Sequence, residues 1–230
     1  MISLIIPSYN EVEQIAETIA KIKERCTGDF PEIIVVDGGS VDDTRSVAEA
    51  AGAKVVLGPK GRAKQMNYGA LIAKAEILYF LHADSIPPLH FTQYISDAYR
   101  QGAVSGCFRL AFDHDHWFLK ANSWFTRFDI NGVRFGDQSL FVTKEVFSKC
   151  GGFREDLIIM EDQEIIHRLK GHGRFVVMSD YVTTSARKYL DNGVYRMQSI
   201  FYRIWALYYL GYSQEKLLNL YRGLIQKHKL

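Results

Sequence analysis

At 230 residues the chain fits one domain, or a domain with a small addition. With 47% hydrophobic and 23% charged residues it is neither disordered nor collagen-like. A formal charge of +2 argues against a dedicated nucleic-acid binder, and three widely spaced cysteines (Cys26, Cys107, Cys150) suit a reducing, cytoplasmic setting better than a disulfide scaffold.

The first residues, Met1 to Pro7, lack the basic flank and long apolar run of an export signal, and no stretch of about 18 uncharged apolar residues occurs. Ile2 to Ile6 predicts a buried strand closed by Pro7. Val12, Ile15, Ala16, Ile19 and Ile22 then follow at helical spacing, with Asn10 placed as N-cap and Glu13 three residues on. Ile33 to Val36 predicts a second strand. A helix over Asp42 to Ala51 follows, with Ser40 as cap and Gly52 past its end. Lys54 to Leu57 predicts a third strand, Arg62 to Lys74 a third helix and Ile77 to His82 a fourth strand.

Alternating helices and continuously apolar strands imply an α/β fold, with a mostly parallel sheet flanked by helices on both faces. Such sheets bind ligands beyond the carboxyl ends of their strands. Polar groups gather at those ends: Ser8-Tyr9-Asn10-Glu11, Asp37 and His82-Ala83-Asp84. The second half is less regular. It predicts strands at Val104 to Phe112, Ser139 to Val142 and Phe175 to Met178, with helices over Trp117 to Phe128 and Asp162 to Lys170. A helical C-terminal tail begins near Val194 and a second tail helix near Gln214.

No G-x-G-x-x-G follows the first strand, and no P-loop, G-x-S-x-G or H-E-x-x-H occurs. What occurs, in order, is Ile6-Pro7-Ser8-Tyr9-Asn10-Glu11, Val36-Asp37-Gly38-Gly39-Ser40, Gly61-Arg62-Ala63-Lys64-Gln65-Met66-Asn67, His82-Ala83-Asp84 and Glu161-Asp162. Each segment alone is weak. The ordered set resembles family 2 glycosyltransferases of the GT-A fold over roughly residues 1–190, leaving residues 191–230 as amphipathic helices packed on the domain, a partner subunit or a membrane surface. The resemblance implies an inverting transfer of sugar from a UDP- or GDP-type donor to an acceptor hydroxyl.

Elementary chemistry suits the same positions. Asp37 at a strand end can accept hydrogen bonds from a base or a ribose diol, or serve simply as part of a strand–helix turn. Tyr9 can stack on a base and Glu11 bond to ribose; Pro7 and Asn10 belong to the same segment. Gly61 and Arg62 open a helix whose positive end is a poor place for a cation unless an anion such as a diphosphate lies near. Lys64, Gln65 and Asn67 follow within two turns; Lys64 reads equally as a solvated surface side chain.

His82-Ala83-Asp84 stands where the family usually has Asp-x-Asp. The resemblance places a Mn²⁺ or Mg²⁺ ion on Asp84, with His82 bonding rather than ligating, although Asp84 also reads as a helix cap. Glu161-Asp162 falls at a loop-to-helix junction. By position Asp162 matches the family's general base, a role that suits a partly buried carboxylate, with Glu161 beside it. Two acids favoured by a helix start are the plainer account. Gly136, Asp137 and Gln138 are expected to line the acceptor pocket, and Arg187 or Lys188 to face the diphosphate.

The Gln-x-x-Arg-Trp motif of polymerising relatives is missing, which favours single-sugar transfer. Residues 187–230 hold eight Lys/Arg against two Asp/Glu, a local excess of +6 over a body at −4. The tail stripe of Met197, Phe201, Ile204, Trp205 and Tyr208 accordingly reads either as packed core, a dimer contact, or peripheral contact with the inner face of a membrane. Two other readings stand beside the transferase. One is a sugar-phosphate nucleotidyltransferase, which would release pyrophosphate. The other is a non-catalytic sugar-nucleotide binder recruiting partners through its aromatic tail.

Overall fold

The structure, a computed structural model, describes residues 1–28, 30–130 and 138–225. Five of its eight strands carry the first half of the chain: β1 (Ile2–Ser8), β2 (Glu32–Asp37), β3 (Lys54–Leu57), β4 (Ile77–Phe80) and the short β5 (Ser85–Ile86). Then come β6 (Ala103–Phe112), β7 (Leu140–Thr143) and β8 (Arg174–Thr184). One sheet holds them in the order β3-β2-β1-β4-β7-β6-β8-β5. Pairing is parallel from β3 to β4 and between β6 and β8, while β7 runs against both neighbours and β5 against β8. Reversing β7 between β4 and β6 leaves those two running the same way. The carboxyl ends of β1, β2, β4, β6 and β8 therefore all open on one edge.

The central strands are apolar throughout because both faces are covered. Along β1, Leu4 and Ile6 enter one core and Ile5 the other; along β2, Ile33 and Val35 are separated likewise from Ile34 and Val36. The first core is closed by α1 (Ile15–Arg25), α2 (Thr44–Ala50) and α4 (Phe91–Arg100). The second is closed by α3 (Arg62–Ile72), α6 (Lys144–Lys149) and α7 (Glu161–Leu169). A third cluster joins Leu119 of α5 (Trp117–Phe125) and Tyr189 of α8 (Arg187–Asn192) to Met197, Ile200 and Ile204 of α9 (Val194–Tyr209) and Tyr221 of α10 (Gln214–Leu224). Among the described residues, no helix is long and apolar enough to cross a membrane.

Several local expectations are corrected. Neither Asn10 nor Ser40 caps a helix: α1 starts after Gln14 and α2 after Asp43, without a side-chain cap. Asn10 instead sits at φ 54°, and its side-chain oxygen accepts from Val41 N (2.9 Å). Ser40 Oγ accepts from Asn10 N (2.8 Å), so the two residues tie the ends of β1 and β2 together. The strand expected over Phe175–Met178 extends to all of β8, the helix that Asp84 was read as capping starts only after His90, and α6 and α8 were not foreseen.

Close packing of α3 on the sheet depends on Gly69. A Cβ there would overlap Ile5 Cγ2 and lie 3.1 Å from Val36 Cγ2. Both are core side chains with no room to retreat. Gly69→Ala is therefore expected to lower stability by about 1–3 kcal/mol in thermal or urea melts. A neutral result would mean that α3 rides higher on the sheet than described.

Candidate active site

Asp37, the last residue of β2, is fully buried. Its carboxylate accepts from Gly39 N (3.0 Å), Ser40 N (2.9 Å) and the Ser40 hydroxyl, and Arg45 Nε lies 3.8 Å away. Here it organises the turn at the strand end. Gln65 is buried beneath that turn, donating to Ser8 O and Val36 O (both 2.7 Å), so it pins the ends of β1 and β2 rather than facing a ligand. Asn67 likewise faces inward. It exchanges bonds with the Phe153 backbone (both 2.8 Å) and donates to Glu155 Oε1 (3.1 Å). Lys64 is exposed, as a solvated side chain would be.

Residues at the rim behave differently. Tyr9 is half-buried with the Lys60 ammonium 4.9 Å from its ring centroid. Arg187, at the start of α8, holds its guanidinium 3.8 Å from both Glu11 and Glu13. Gly61, at φ 119°, turns the chain into α3, where a side chain would be strained. The adjoining Arg62 reaches across to α7, 3.2 Å from Glu161 and 3.5 Å from Asp162. Those two acids pair with the cation at this helix start.

Glu161 is 1% exposed while Asp162 is half-buried at the same helix start. Burial raises the Glu161 pKa, opposed by the charges of Arg62 and Lys188. The carboxylate whose affinity for a proton burial increases is thus Glu161. A narrow cleft lined by Pro7, Leu81, His82, Ser139, Asp162 and Ile166 joins the ends of β1 and β4 to Asp162 of α7. Asp84 lies two residues beyond His82; its carbonyl accepts from Ser185 N (3.2 Å), which docks the end of β8 beside it.

Ala186 N in turn donates to Asp113 Oδ1 (2.7 Å), on the wall of a second, wider cleft of about 510 Å³. His114, Lys120, Trp124, Arg127 and Tyr181 also line this cleft. Of the three residues expected around an acceptor, Gly136 and Asp137 lie outside the described residues. Gln138 is buried, donating to Phe108 O (3.2 Å) where β6 parts from β7.

Lys60, Arg45 and Glu155 were not singled out from the sequence. Arg45, in the first turn of α2, shows the same unfavourable cation at a helix start that drew attention to Arg62.

Tyr9 and Glu11 thus follow the carboxyl end of β1 and His82 and Asp84 that of β4, while Arg62 of α3 reaches Glu161 and Asp162 of α7. The family profile described as "Glycosyl transferase family 2" matches residues 3–158. The chain belongs to that family. Glycosyltransferase AglJ of Haloferax volcanii is 43% identical over 56 residues, 24% of this chain and 18% of its own length. The mannosyltransferase PcManGT of Pyrobaculum calidifontis, solved with GDP-Man and Mn²⁺, superposes with a TM-score of 0.68 at 18% identity, over 88% of this chain and 61% of that one. Glucosyl-3-phosphoglycerate synthase of Mycobacterium tuberculosis, solved with Mn²⁺, UDP and phosphoglyceric acid, gives 0.57 at 19% identity, over 80% and 69%. These likenesses establish the GT-A fold. The stretch matched in the curated relative is under a fifth of that protein's length.

Proposed function

We propose that this family 2 chain is a glycosyltransferase that moves one sugar from a nucleoside-diphosphate donor to an acceptor hydroxyl, with inversion. The observation that carries the reading is the reach of Arg62 from α3, which opens beside the nucleotide-side loops, to both acids of α7. That contact supports a site in which donor-binding groups and acids share one end of the sheet.

In this reading Tyr9 and Glu11 meet the nucleoside, against the turn that Asp37 and Ser40 shape. Arg62 and Lys188 offer positive charge to the diphosphate, the group on which negative charge grows as the sugar leaves. Asp162 takes the proton of the acceptor hydroxyl while its oxygen bonds to the anomeric carbon. The carbon–oxygen bond to the diphosphate breaks on the opposite face, its electron pair leaving with the diphosphate. Glu161 holds Arg62 in reach of the acids until a diphosphate competes for it. The wider cleft beside Asp113 gives the acceptor an approach.

Asp84, half-buried at this edge with His82 two residues before it, is the hard oxygen donor that would hold a divalent cation here. Among the described residues, no group of three or more His, Cys, Asp or Glu is placed to hold a metal. Such an ion supplies neutralisation of the leaving diphosphate. Both structural neighbours described above were solved with Mn²⁺, which supports the assignment.

Saturating UDP or GDP with Mn²⁺ is expected to raise the melting temperature by about 5–10 °C, as ligand at a hundredfold excess over Kd would. Asp84→Ala should remove the metal-dependent part of that rise. If no nucleoside diphosphate in a panel shifts the transition, the reading fails.

A further inference from the structure

Of the readings open for the apolar stripe of the C-terminal tail, packed core is the one its buried residues follow. Met197, Ile200 and Ile204 are buried against Leu119 and Tyr221. What α5 and α9 present to solvent is a different set of side chains. On α5 the buried face holds Leu119 and Asn122, with Thr126 just past its end, whereas Trp117, Trp124 and Phe125 point outward at 66%, 46% and 47% exposure. This inverts the usual amphipathic pattern, in which the polar face meets water. Asn122 is satisfied from within, donating to Gln198 Oε1 of α9 (2.9 Å).

Along α9, Tyr195, Tyr202 and Tyr209 recur every seventh residue and each is about half exposed. Arg196 and Arg203 stand beside them, also exposed. The Tyr195 ring touches those of Trp117 (6.3 Å) and Phe118 (5.2 Å), so the two helices form one continuous surface. Neither helix contains a single Asp or Glu. Arg127 stacks on the Trp124 ring at 4.5 Å, and Asp115, just before α5, is paired with Lys120 (2.6 Å).

We propose that this α5–α9 face docks on an anionic lipid surface. Tryptophan and tyrosine favour the headgroup layer, and arginines can lay their stems along it while their charge meets lipid phosphate. A second copy of the chain fits less well. A two-fold contact brings the same patch against itself, and Arg196 and Arg203 would then meet helices that carry no acid to receive them. Trp124 and Lys120 also line the wider cleft, so the docked face borders it.

The test needs no turnover, and so stands apart from the transferase reading. The 230-residue chain is sedimented with vesicles of phosphatidylcholine alone or with about 30% phosphatidylglycerol, while tryptophan emission is followed. Binding is expected only to the anionic vesicles, with a blue shift and with loss of binding at about 0.5 M salt. Arg203→Glu should weaken partitioning about fivefold or more. Trp117→Ala with Trp124→Ala should weaken it about tenfold and abolish most of the shift, the melting temperature of each variant serving as control for folding. Absence of binding at millimolar anionic lipid overturns the proposal, as does binding unaffected by either variant. Self-association in sedimentation velocity that these variants abolish, without vesicle binding, assigns the face to a second copy instead.

Discussion

Asp162→Asn is expected to cut sugar transfer about 10²- to 10⁴-fold, the usual worth of a positioned general base. Asparagine keeps the size and most of the hydrogen bonding of the side chain but cannot hold the acceptor's proton. Asp162 is half-buried beside Arg62 at the start of α7, so the exchange leaves the α3 and α7 cores untouched. Nucleoside diphosphate should accordingly raise the melting temperature of the variant as it does that of the parent. Initial rates of donor consumption and product formation decide the matter. If Asp162→Asn keeps more than about a tenth of the activity while Glu161→Gln falls further, the base is Glu161.

Glu161→Gln should stabilise the fold at neutral pH while lowering activity. Glu161 is almost wholly buried, and burial lifts its pKa above the ordinary 4.5 despite the nearby positive charges. Between 4.5 and the raised folded value, the native protein retains a proton that the unfolded chain has released. Stability from this group is therefore complete below the unfolded pKa and is lost as pH rises through the folded one. Glutamine, uncharged throughout, removes that loss. We expect the variant to gain about 0.5–2 kcal/mol at neutral pH, the range of single stabilising changes, and to gain nothing at pH 4. Melting temperatures of both proteins across this range test it. Destabilisation of equal size at every pH would show that the carboxylate is a net support of the fold.

The first half of the fold was readable because its signals are local. Ile2–Ile6, Ile33–Val36 and Lys54–Leu57 are brief apolar runs between turn residues, and each lies within an observed strand of the sheet. Phe91, Ile95 and Ala98 also fall at helical spacing, yet α4 follows His90 in a left-handed conformation with no side-chain cap, so nothing marked its start. The ends of β8 escaped notice because its face is only half covered and its apolar residues do not alternate cleanly.

At the site, residue type announced chemistry but not direction. Gln65, Asn67 and Gln138 carry the amides one expects around a nucleotide or sugar, and the fold uses all three to satisfy backbone groups. Buried carbonyls and amides must find partners, and long-range pairing of that kind leaves no periodic trace. The ordered motifs were more informative than any one residue, since sequence order on a doubly covered sheet dictates which strand ends share an edge.

Within two turns α3 makes three attachments. Gln65 fastens it to the ends of β1 and β2, Asn67 to the loop ahead of α7, and Arg62 to the acids themselves. So short a helix behaves as a stiff lever. The ends of β1 and β2, the loop ahead of α7 and the carboxylates at its start are thereby tied to one rigid piece, so none of them can shift without the others.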